Sequence, residues 1–195
     1  MKLIVLAGFL GSGKTTLLLE IARDLVAGGS TVAVIENEIG EIGIDGDYIA
    51  EQGLEVRELF GGCICCTLAV GVVDALATLA RDHNPDYVLL EPSGIAQPGD
   101  LSETVRRYAS AVDGVVTVTL IDAERYEVLT EVVGPMLEGQ MAQADVIAVT
   151  KSDLVPEVDL TRILATVGEL APGVPVEAVS LLDSVSLMPV LARLR

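Results

Sequence analysis

Residues 8–15 read GFLGSGKT and match the pattern G-x-x-x-x-G-K-[ST]. An apolar run, LIVLA at 3–7, comes directly before them, and a helical pattern begins at Lys14. Glycines at these spacings let backbone N–H groups curl around phosphate oxygens, and the positive end of the helix adds to the attraction. The stretch therefore predicts a strand, a phosphate-binding loop and a helix, which is the opening unit of a P-loop nucleotide-binding fold.

The side chains of this loop have expected roles. Lys14 is expected to reach the β- and γ-phosphates of a nucleotide, and the Thr15 hydroxyl is expected to coordinate Mg²⁺. The motif predicts that the other nucleotide-contacting residues are Gly8, Gly11, Ser12, Gly13 and Thr16.

Short apolar runs alternate with helical patterns along the rest of the chain. Hydrophobic residues make up 51% and aromatic residues 3%, a mixture that suits a parallel sheet buried on both faces. We expect one domain over residues 1–195 with a three-layer α/β P-loop fold and a largely parallel sheet. The predicted strands are 3–7, 31–36, 54–59, 86–91, 114–122, 145–150 and 174–179. The predicted helices are 14–28, 67–82, 99–110, 123–132, 135–143, 157–171 and 184–194.

A second motif, LLEPSG at 89–94, ends one of the buried strands. In P-loop enzymes a carboxylate at this place orients Mg²⁺ through water, and a glycine N–H senses the γ-phosphate. Glu91 alone would be an ordinary charge at a strand end, but its position after a P-loop favours the magnesium role. We therefore assign Glu91 to the catalytic group with Lys14 and Thr15, and Gly94 to the nucleotide contacts.

A third motif, TKSD at 150–153, ends another apolar strand and approximates the N-K-x-D sequence that reads guanine. Asp153 can accept hydrogen bonds from guanine N1–H and its amino group, and the methylenes of Lys151 can lie along the base. Thr150 replaces the asparagine, which removes one amide from the motif. The motif favours GTP and leaves ATP open.

The composition excludes several classes of partner. A net charge of −17 argues against sequence-independent binding to nucleic acid or anionic membranes. The sequence contains no apolar stretch long enough for a transmembrane helix. Three cysteines within four positions could close only tiny disulfide loops, so we expect reduced thiols and a cytoplasmic protein.

All three cysteines, Cys63, Cys65 and Cys66, lie in GGCICC at 61–66. Thiolates this close can share one soft or borderline ion, such as Zn²⁺, Co²⁺, Ni²⁺ or Cu⁺. A catalytic cysteine would need a histidine base, and the single histidine is His83 in RDHNPD, which disfavours thiol catalysis. Inert buried cysteine remains the alternative, although it accounts for one such residue more readily than for three.

The cysteines lie between two segments that are expected to change with the nucleotide. The first is 37–53, which lacks periodicity and stands where a switch loop would be, and the second is EPSG at 91–94. The first segment has no obvious threonine for Mg²⁺; its candidate carboxylates are Glu38, Glu41, Asp45 and Asp47.

The stretches GFLGSGKTTLL, IENEIGE, GGCICC and EPSGIAQP together resemble the CobW-like P-loop GTPases, relatives of the nickel-insertion GTPases of urease and hydrogenase maturation. The resemblance covers essentially the whole chain and accommodates TKSD as a family variant. It implies a GTPase that delivers a metal or a cobalamin cofactor to a client protein. It also implies that the three cysteines bind a transition metal, with Zn²⁺ or Co²⁺ ahead of Ni²⁺, and that Glu36 is a further ligand.

Family members often carry a C-terminal domain and a histidine-rich stretch, and the sequence to Arg195 has neither, so we expect the nucleotide-binding domain alone. No residue stands out as the group that orients the attacking water, and no arginine as a finger. We therefore expect slow turnover that metal, homodimerisation or a client accelerates. Two alternatives remain: a small-molecule kinase or ATPase with incidental cysteines, and a metal buffer or redox sensor with structural nucleotide.

Overall fold

The computed structural model describes residues 1–36, 55–58, 67–92 and 98–195. Seven strands form one sheet in the order β3-β2-β4-β1-β5-β6-β7, and every neighbouring pair is parallel. The strands are β1 (Lys2–Gly8), β2 (Val32–Glu36), β3 (Glu55–Glu58), β4 (Tyr87–Glu91), β5 (Gly114–Asp122), β6 (Val146–Thr150) and β7 (Val176–Val179). The helices are α1 (Lys14–Ala27), α2 (Thr67–Asp82), α3 (Pro98–Tyr108), α4 (Tyr126–Met141), α5 (Glu157–Leu170) and α6 (Ser184–Leu194), with a 3₁₀ helix at Ser152–Leu154.

Helices cover both faces of the sheet, as the apolar strands predict. Alternate residues of β1 point to opposite faces, so that Ile4 and Leu6 pack with α1 and α6 on one side. Leu3 and Val5 pack with α2 and α3 on the other side, where α4 and α5 cover the neighbouring strands β5 and β6. The predicted three-layer α/β architecture is confirmed, and each predicted strand overlaps an observed one.

One pair of predicted helices is a single kinked element. The sequence predicts helices at 123–132 and 135–143, whereas α4 runs from Tyr126 to Met141 with a non-helical Val133 (φ −133°, ψ 24°). Pro135 has no N–H to donate, and its ring displaces the carbonyl of the preceding turn. The kink therefore falls in the gap that the sequence places between the two helices.

The strand order places the loop after β1 at the centre of the carboxyl edge of the sheet. From β1 the chain passes to β2 and out to β3 on one side, returns to β4 beside β1, and then moves outward through β5, β6 and β7 on the other side. Ligands of parallel α/β sheets bind where the order reverses in this way. In the described part of the chain, no helix has the length and apolar character to cross a membrane.

Candidate nucleotide site

Glycine is required at three positions of the loop 8–15. Gly8, Gly11 and Gly13 have φ angles of 141°, 77° and 91°, which side-chain-bearing residues rarely adopt. A Cβ on Gly8 would lie 2.7 Å from the carbonyl oxygen of Leu120, and one on Gly13 would collide with Cδ1 of Leu181. The loop thus needs glycine both for its backbone conformation and for close packing against β5 and the turn after β7.

Three carbonyl groups of the loop are held by hydrogen bonds. The Phe9 carbonyl accepts the N–H of Ser12 at 3.1 Å. The Leu10 carbonyl accepts Nη2 of Arg125 at 2.6 Å, and the Ser12 carbonyl accepts the hydroxyl of Thr150 at 2.8 Å. Two of these donors come from distant parts of the chain, at the ends of β5 and β6.

Holding the carbonyls also fixes the direction of the N–H groups. The described residues contain no cis peptide bond, and a trans peptide places its N–H opposite its C=O. The N–H groups of Leu10, Gly11 and Gly13 therefore point away from the groups that hold the carbonyls. Successive backbone N–H groups freed in this way form the kind of concavity that binds anions.

The structure brings together the three residues that the sequence assigns to catalysis. Thr15 donates a hydrogen bond of 2.9 Å from Oγ1 to Oε2 of Glu91. Nζ of Lys14 lies 3.8 Å from Oε1 of the same carboxylate and donates to the Phe9 carbonyl at 3.3 Å. Lys14 and Glu91 are both buried. They meet because β1 and β4 are adjacent and parallel, so the loop after β1 begins beside the last residue of β4.

The residues around Glu91 fit a magnesium ion. Magnesium prefers hard oxygen ligands and usually binds one or two carboxylates together with substrate phosphates. The hydroxyl of Thr15 and the carboxylate of Glu91 supply such oxygens side by side. Thr15, the predicted ligand, and Glu91, which is predicted to act through water, are therefore close enough to serve one ion.

The TKSD residues line the same edge beyond β6. Thr150 is fully buried, and its hydroxyl lies 2.8 Å from the Ser12 carbonyl and 3.2 Å from the Ile121 carbonyl. The sequence treats this threonine as a weakening of the motif, but its hydroxyl ties the end of β6 to the phosphate loop. Asp153 is exposed on the 3₁₀ helix and has no hydrogen-bond or ion-pair partner in the described part of the chain.

Two residues of the site were missed by the sequence interpretation, Asp122 and Arg125. Asp122 is the last residue of β5, and its buried carboxylate pairs with Nε of Arg125 at 2.7 Å and Nζ of Lys151 at 2.8 Å. Burial raises the pKa of Asp122, but the hydrogen bonds from Lys151 and Arg125 outweigh it and hold the pKa below its ordinary value. A carboxylate at the carboxyl end of a buried strand, as in IDAER at 121–125, was the available signal.

The predicted metal ligands lie largely outside the described residues. Cys63, Cys65 and Cys66 fall in the segment 59–66, Gly94 falls in 93–97, and the carboxylate candidates Glu38, Glu41, Asp45 and Asp47 fall in 37–54. The backbone of Glu36 is described: it ends β2 in register with Glu91 of β4 and Glu58 of β3. Within the described ranges, no group of three or more His, Cys, Asp or Glu side chains could hold a metal ion.

A parallel sheet, a glycine loop with Lys14 and Thr15, and a carboxylate on the adjacent strand define a P-loop nucleotide-binding protein. Residues 2–177 match the family model described as CobW/HypB/UreG, nucleotide-binding domain. The chain belongs to this family, and the resemblance found in its motifs is confirmed.

Two relatives come from Escherichia coli (strain K12). The chain is 34% identical over 151 residues to the zinc chaperone YeiR, a match that covers 76% of this chain and 46% of YeiR. It is also 34% identical over 185 residues to the zinc chaperone YjiA, covering 86% of this chain and 55% of YjiA. The chain therefore spans about half the length of these curated relatives.

Solved structures show the same fold. The crystal structure of zinc-bound YjiA GTPase from E. coli matches with a TM-score of 0.63 at 26% identity, over 90% of this chain and 56% of that chain. HypB from Helicobacter pylori in complex with nickel matches with a TM-score of 0.70 at 19% identity, over 98% of this chain and 84% of that chain. At that lower identity the likeness to HypB is one of fold alone.

Proposed function

We propose that this protein binds and hydrolyses GTP at the loop 8–15, and that the nucleotide state is coupled to the binding and delivery of a transition metal. Membership of the CobW/HypB/UreG family supports the nucleotide part, as does the description of the relative YjiA as a GTPase. The names of YeiR and YjiA as zinc chaperones support the metal part.

The observation that carries the nucleotide part is the meeting of Lys14, Thr15 and Glu91 beside the loop. Hydrolysis is an in-line displacement by water at the γ-phosphorus, in which negative charge builds on the phosphate oxygens. The ammonium of Lys14 and the loop N–H groups stabilise that charge from positions fixed before the substrate arrives. When bound by Thr15, and through water by Glu91, Mg²⁺ supplies further positive charge to the β- and γ-phosphates.

Guanine is the base that the TKSD segment fits best. The carboxylate of Asp153 is exposed and accepts no hydrogen bond from the described residues, so its oxygens are available to guanine N1–H and the amino group. An adenine at this position would leave those acceptors without donors, at a cost of about 1–3 kcal/mol. Thr150 replaces the usual asparagine and still anchors the segment to the phosphate loop.

A comparison of two lysine variants tests the nucleotide part. Lys14→Ala should abolish GTP hydrolysis, because it removes the cation beside the phosphates. Lys2→Ala is the matched control, since Lys2 hydrogen-bonds the carbonyl of Leu194 at the other end of β1 and should leave hydrolysis unchanged. Circular dichroism checks that both variants fold. Hydrolysis by Lys14→Ala at the wild-type rate would show that the loop assignment is wrong.

Nucleotide competition tests the choice of base. GTP should displace a bound guanine nucleotide analogue from the wild-type protein more effectively than ATP. Asp153→Asn should weaken GTP and admit xanthosine nucleotides, because an amide replaces the acceptor that faces N1–H. Equal competition by ATP and GTP on the wild-type protein would contradict the guanine assignment.

For the metal part, we propose a site formed by Cys63, Cys65 and Cys66, with Glu36 as a further ligand and Zn²⁺ as the first cargo. The segment that holds the cysteines follows β3 at Glu58, which aligns across β2 with Glu36 and Glu91. Glu58, which precedes the cysteine segment, and Glu91 thus lie at the same edge of three neighbouring strands. The proposed acceptor of the metal is a client metalloprotein or a cobalamin-related protein, and the proposed assembly is a homodimer that depends on the bound nucleotide.

Metal titrations test this site. Zn²⁺, Co²⁺ and Ni²⁺ should each bind the wild-type protein in a reaction that releases protons, because every thiol must become a thiolate. The triple variant Cys63→Ser, Cys65→Ser, Cys66→Ser should lose the binding and the proton release together. Unchanged Zn²⁺ affinity in the triple variant would place the metal elsewhere.

A further inference from the structure

We propose that Asp122 and Arg125 are positioning residues of the nucleotide site, and that together they hold the phosphate loop and the base-facing Lys151 in one fixed relation. The inference rests on the proposed function, because it assigns roles within the proposed GTP site. Neither residue belongs to the motifs that predict the site.

Asp122 is the shared anchor. It ends β5 between β1 and β6, and only 1% of its surface is exposed. Its Oδ2 atom accepts Nε of Arg125 at 2.7 Å and Nζ of Lys151 at 2.8 Å, while Oδ1 accepts the N–H of Glu124 at 3.1 Å. A buried carboxylate is costly unless it is paired and hydrogen-bonded. Here both oxygens are satisfied, and two cations are held at one point.

Arg125 extends this anchor to the phosphate loop. While Nε binds Asp122, Nη2 donates to the Leu10 carbonyl at 2.6 Å, and a Cβ on Gly11 would lie 2.9 Å from Nη2. The planar guanidinium can bind both partners at once because its donors point in fixed directions. By holding the Leu10 carbonyl, Arg125 directs the N–H of the same peptide, that of Gly11, to the opposite side. The loop is thus held in its anion-binding conformation.

Lys151 receives its position from the same carboxylate. Its backbone is in the left-handed region, with φ at 58°, at the start of the 3₁₀ helix that carries Asp153. Its ammonium also lies 3.4 Å from Glu124. An ammonium anchored at Asp122 limits where the methylenes of Lys151 can lie, and these are the atoms expected along the base. Asp122 therefore positions groups that contact both the base and the phosphates, whereas Arg125 positions only the loop that contacts the phosphates.

Because their roles differ, substitutions of Arg125 and of Asp122 should change the affinities for GTP and ATP in different ways. Arg125→Ala should weaken GTP and ATP by the same factor, about tenfold, because it loosens only the phosphate loop. Asp122→Asn should weaken GTP by more than ATP, because it also releases Lys151. Arg125→Lys should not rescue Arg125→Ala, since one ammonium cannot reach both Asp122 and the Leu10 carbonyl. Calorimetric titration with GTP and ATP measures both the affinities and their ratio.

Two further variants separate positioning from general damage. Arg162→Ala is the matched control: Arg162 pairs with Glu127 and Asp159 away from the loop, so its removal should leave both affinities unchanged. The double variant Asp122→Asn, Lys151→Ala should lose less GTP binding free energy than the two single variants lose in total, because the two residues act as one unit. Additive losses would mean that Asp122 does not act through Lys151.

The outcomes also distinguish this inference from the proposed function. Wild-type protein that binds GTP selectively, with unchanged affinity and selectivity in Arg125→Ala and Asp122→Asn, would overturn the inference and leave the function standing. Failure of the wild-type protein to bind GTP would overturn the proposed function itself. Arg125 is partly exposed, so its variant supplies a readout even if Asp122→Asn fails to fold.

Discussion

The hydroxyl oxygen of Thr15 lies 2.9 Å from Oε2 of Glu91, although the two residues are 76 positions apart in the chain. The other oxygen of the carboxylate lies 3.8 Å from the ammonium of Lys14. Glu91 therefore contacts both the residue expected to bind Mg²⁺ and the residue expected to bind the phosphates. The adjacency of β1 and β4 creates this contact, and it accounts for the need for a carboxylate at the end of β4.

Replacing Glu91 tests the magnesium assignment. Glu91→Gln keeps the size of the side chain and an oxygen that can accept from Thr15, but it removes the charge. Substitution of a group that supports a metal ligand costs about 10–100-fold in metal affinity or activity. The Mg²⁺ concentration that gives half-maximal GTP hydrolysis should rise by such a factor, and Glu127→Gln, on the surface of α4, should leave it unchanged. An unaltered Mg²⁺ dependence in Glu91→Gln would remove Glu91 from the site.

Gly13 offers a test of the loop conformation. Gly13→Ala should lower the free energy of unfolding, because its φ of 91° is strained for alanine and the new methyl would meet Leu181. Strain of this kind costs about 1–3 kcal/mol before any clash is added. Urea unfolding followed by circular dichroism measures the change.

A second glycine separates strain from contact. Gly173 has φ of 86° and nothing within 4 Å of an added Cβ, so Gly173→Ala should show the cost of the backbone alone. Gly13→Ala should cost more than Gly173→Ala, and adding Leu181→Ala should remove the excess. Equal costs for the two glycines would mean that the turn after β7 does not pack on the loop.

Thr150 and Thr119 form a matched pair for the role of the TKSD threonine. Both are buried, and each hydroxyl donates to a backbone carbonyl: Thr150 to Ser12 and Thr119 to Gln140. Thr→Val at either position should lower the free energy of unfolding by about 1–3 kcal/mol, because a buried carbonyl loses its donor. Only Thr150→Val should also weaken GTP binding, since only its partner lies in the phosphate loop. A comparable loss of GTP affinity in Thr119→Val would contradict this account.

The lowered pKa of Asp122 predicts how its contribution to stability depends on pH. Burial raises the pKa of Asp122, but the hydrogen bonds from Lys151 and Arg125 lower it by more than burial raises it. In the folded protein Asp122 therefore stays ionised at pH values below the ordinary aspartate pKa of about 3.9. The resulting stabilisation is fully present above that value and is lost as the pH falls through the folded-state pKa. The difference in free energy of unfolding between wild type and Asp122→Asn should therefore be constant near neutral pH and shrink below about pH 4. A difference that grows as the pH falls would contradict the direction of the shift.

The sheet could be predicted because each buried parallel strand is a short apolar run, such as LIVLA at 3–7, bounded by polar or glycine-rich turns. The meeting of Lys14, Thr15 and Glu91 could also be predicted, because the P-loop and the strand-end carboxylate are local patterns. The sequence predicts a gap between two helices where α4 is kinked, since Pro135 interrupts the pattern without showing whether the helix resumes on the same axis.

The positioning role of Asp122 and Arg125 could not be predicted from the sequence. This role depends on the contact between Arg125 and Leu10, which are 115 positions apart and meet only because β5 lies beside β1. The contribution of Thr150 was underestimated for the same reason: its partner, the Ser12 carbonyl, is 138 positions away. Local patterns indicate which residues can do chemistry, but contacts set by strand order decide how they are held.

The central claim, that nucleotide state and metal binding are coupled, is tested most directly by measuring Zn²⁺ affinity with and without a saturating Mg²⁺–GTP analogue. Coupling between two sites is typically about 1–3 kcal/mol, which corresponds to roughly a 5- to 150-fold change in affinity, and it must be reciprocal. We predict a change of that size in the wild-type protein, and no change in Cys65→Ser or Cys66→Ser, whose GTP affinity without metal should be unaltered. Identical Zn²⁺ affinities in the two nucleotide states of the wild-type protein would contradict the claim.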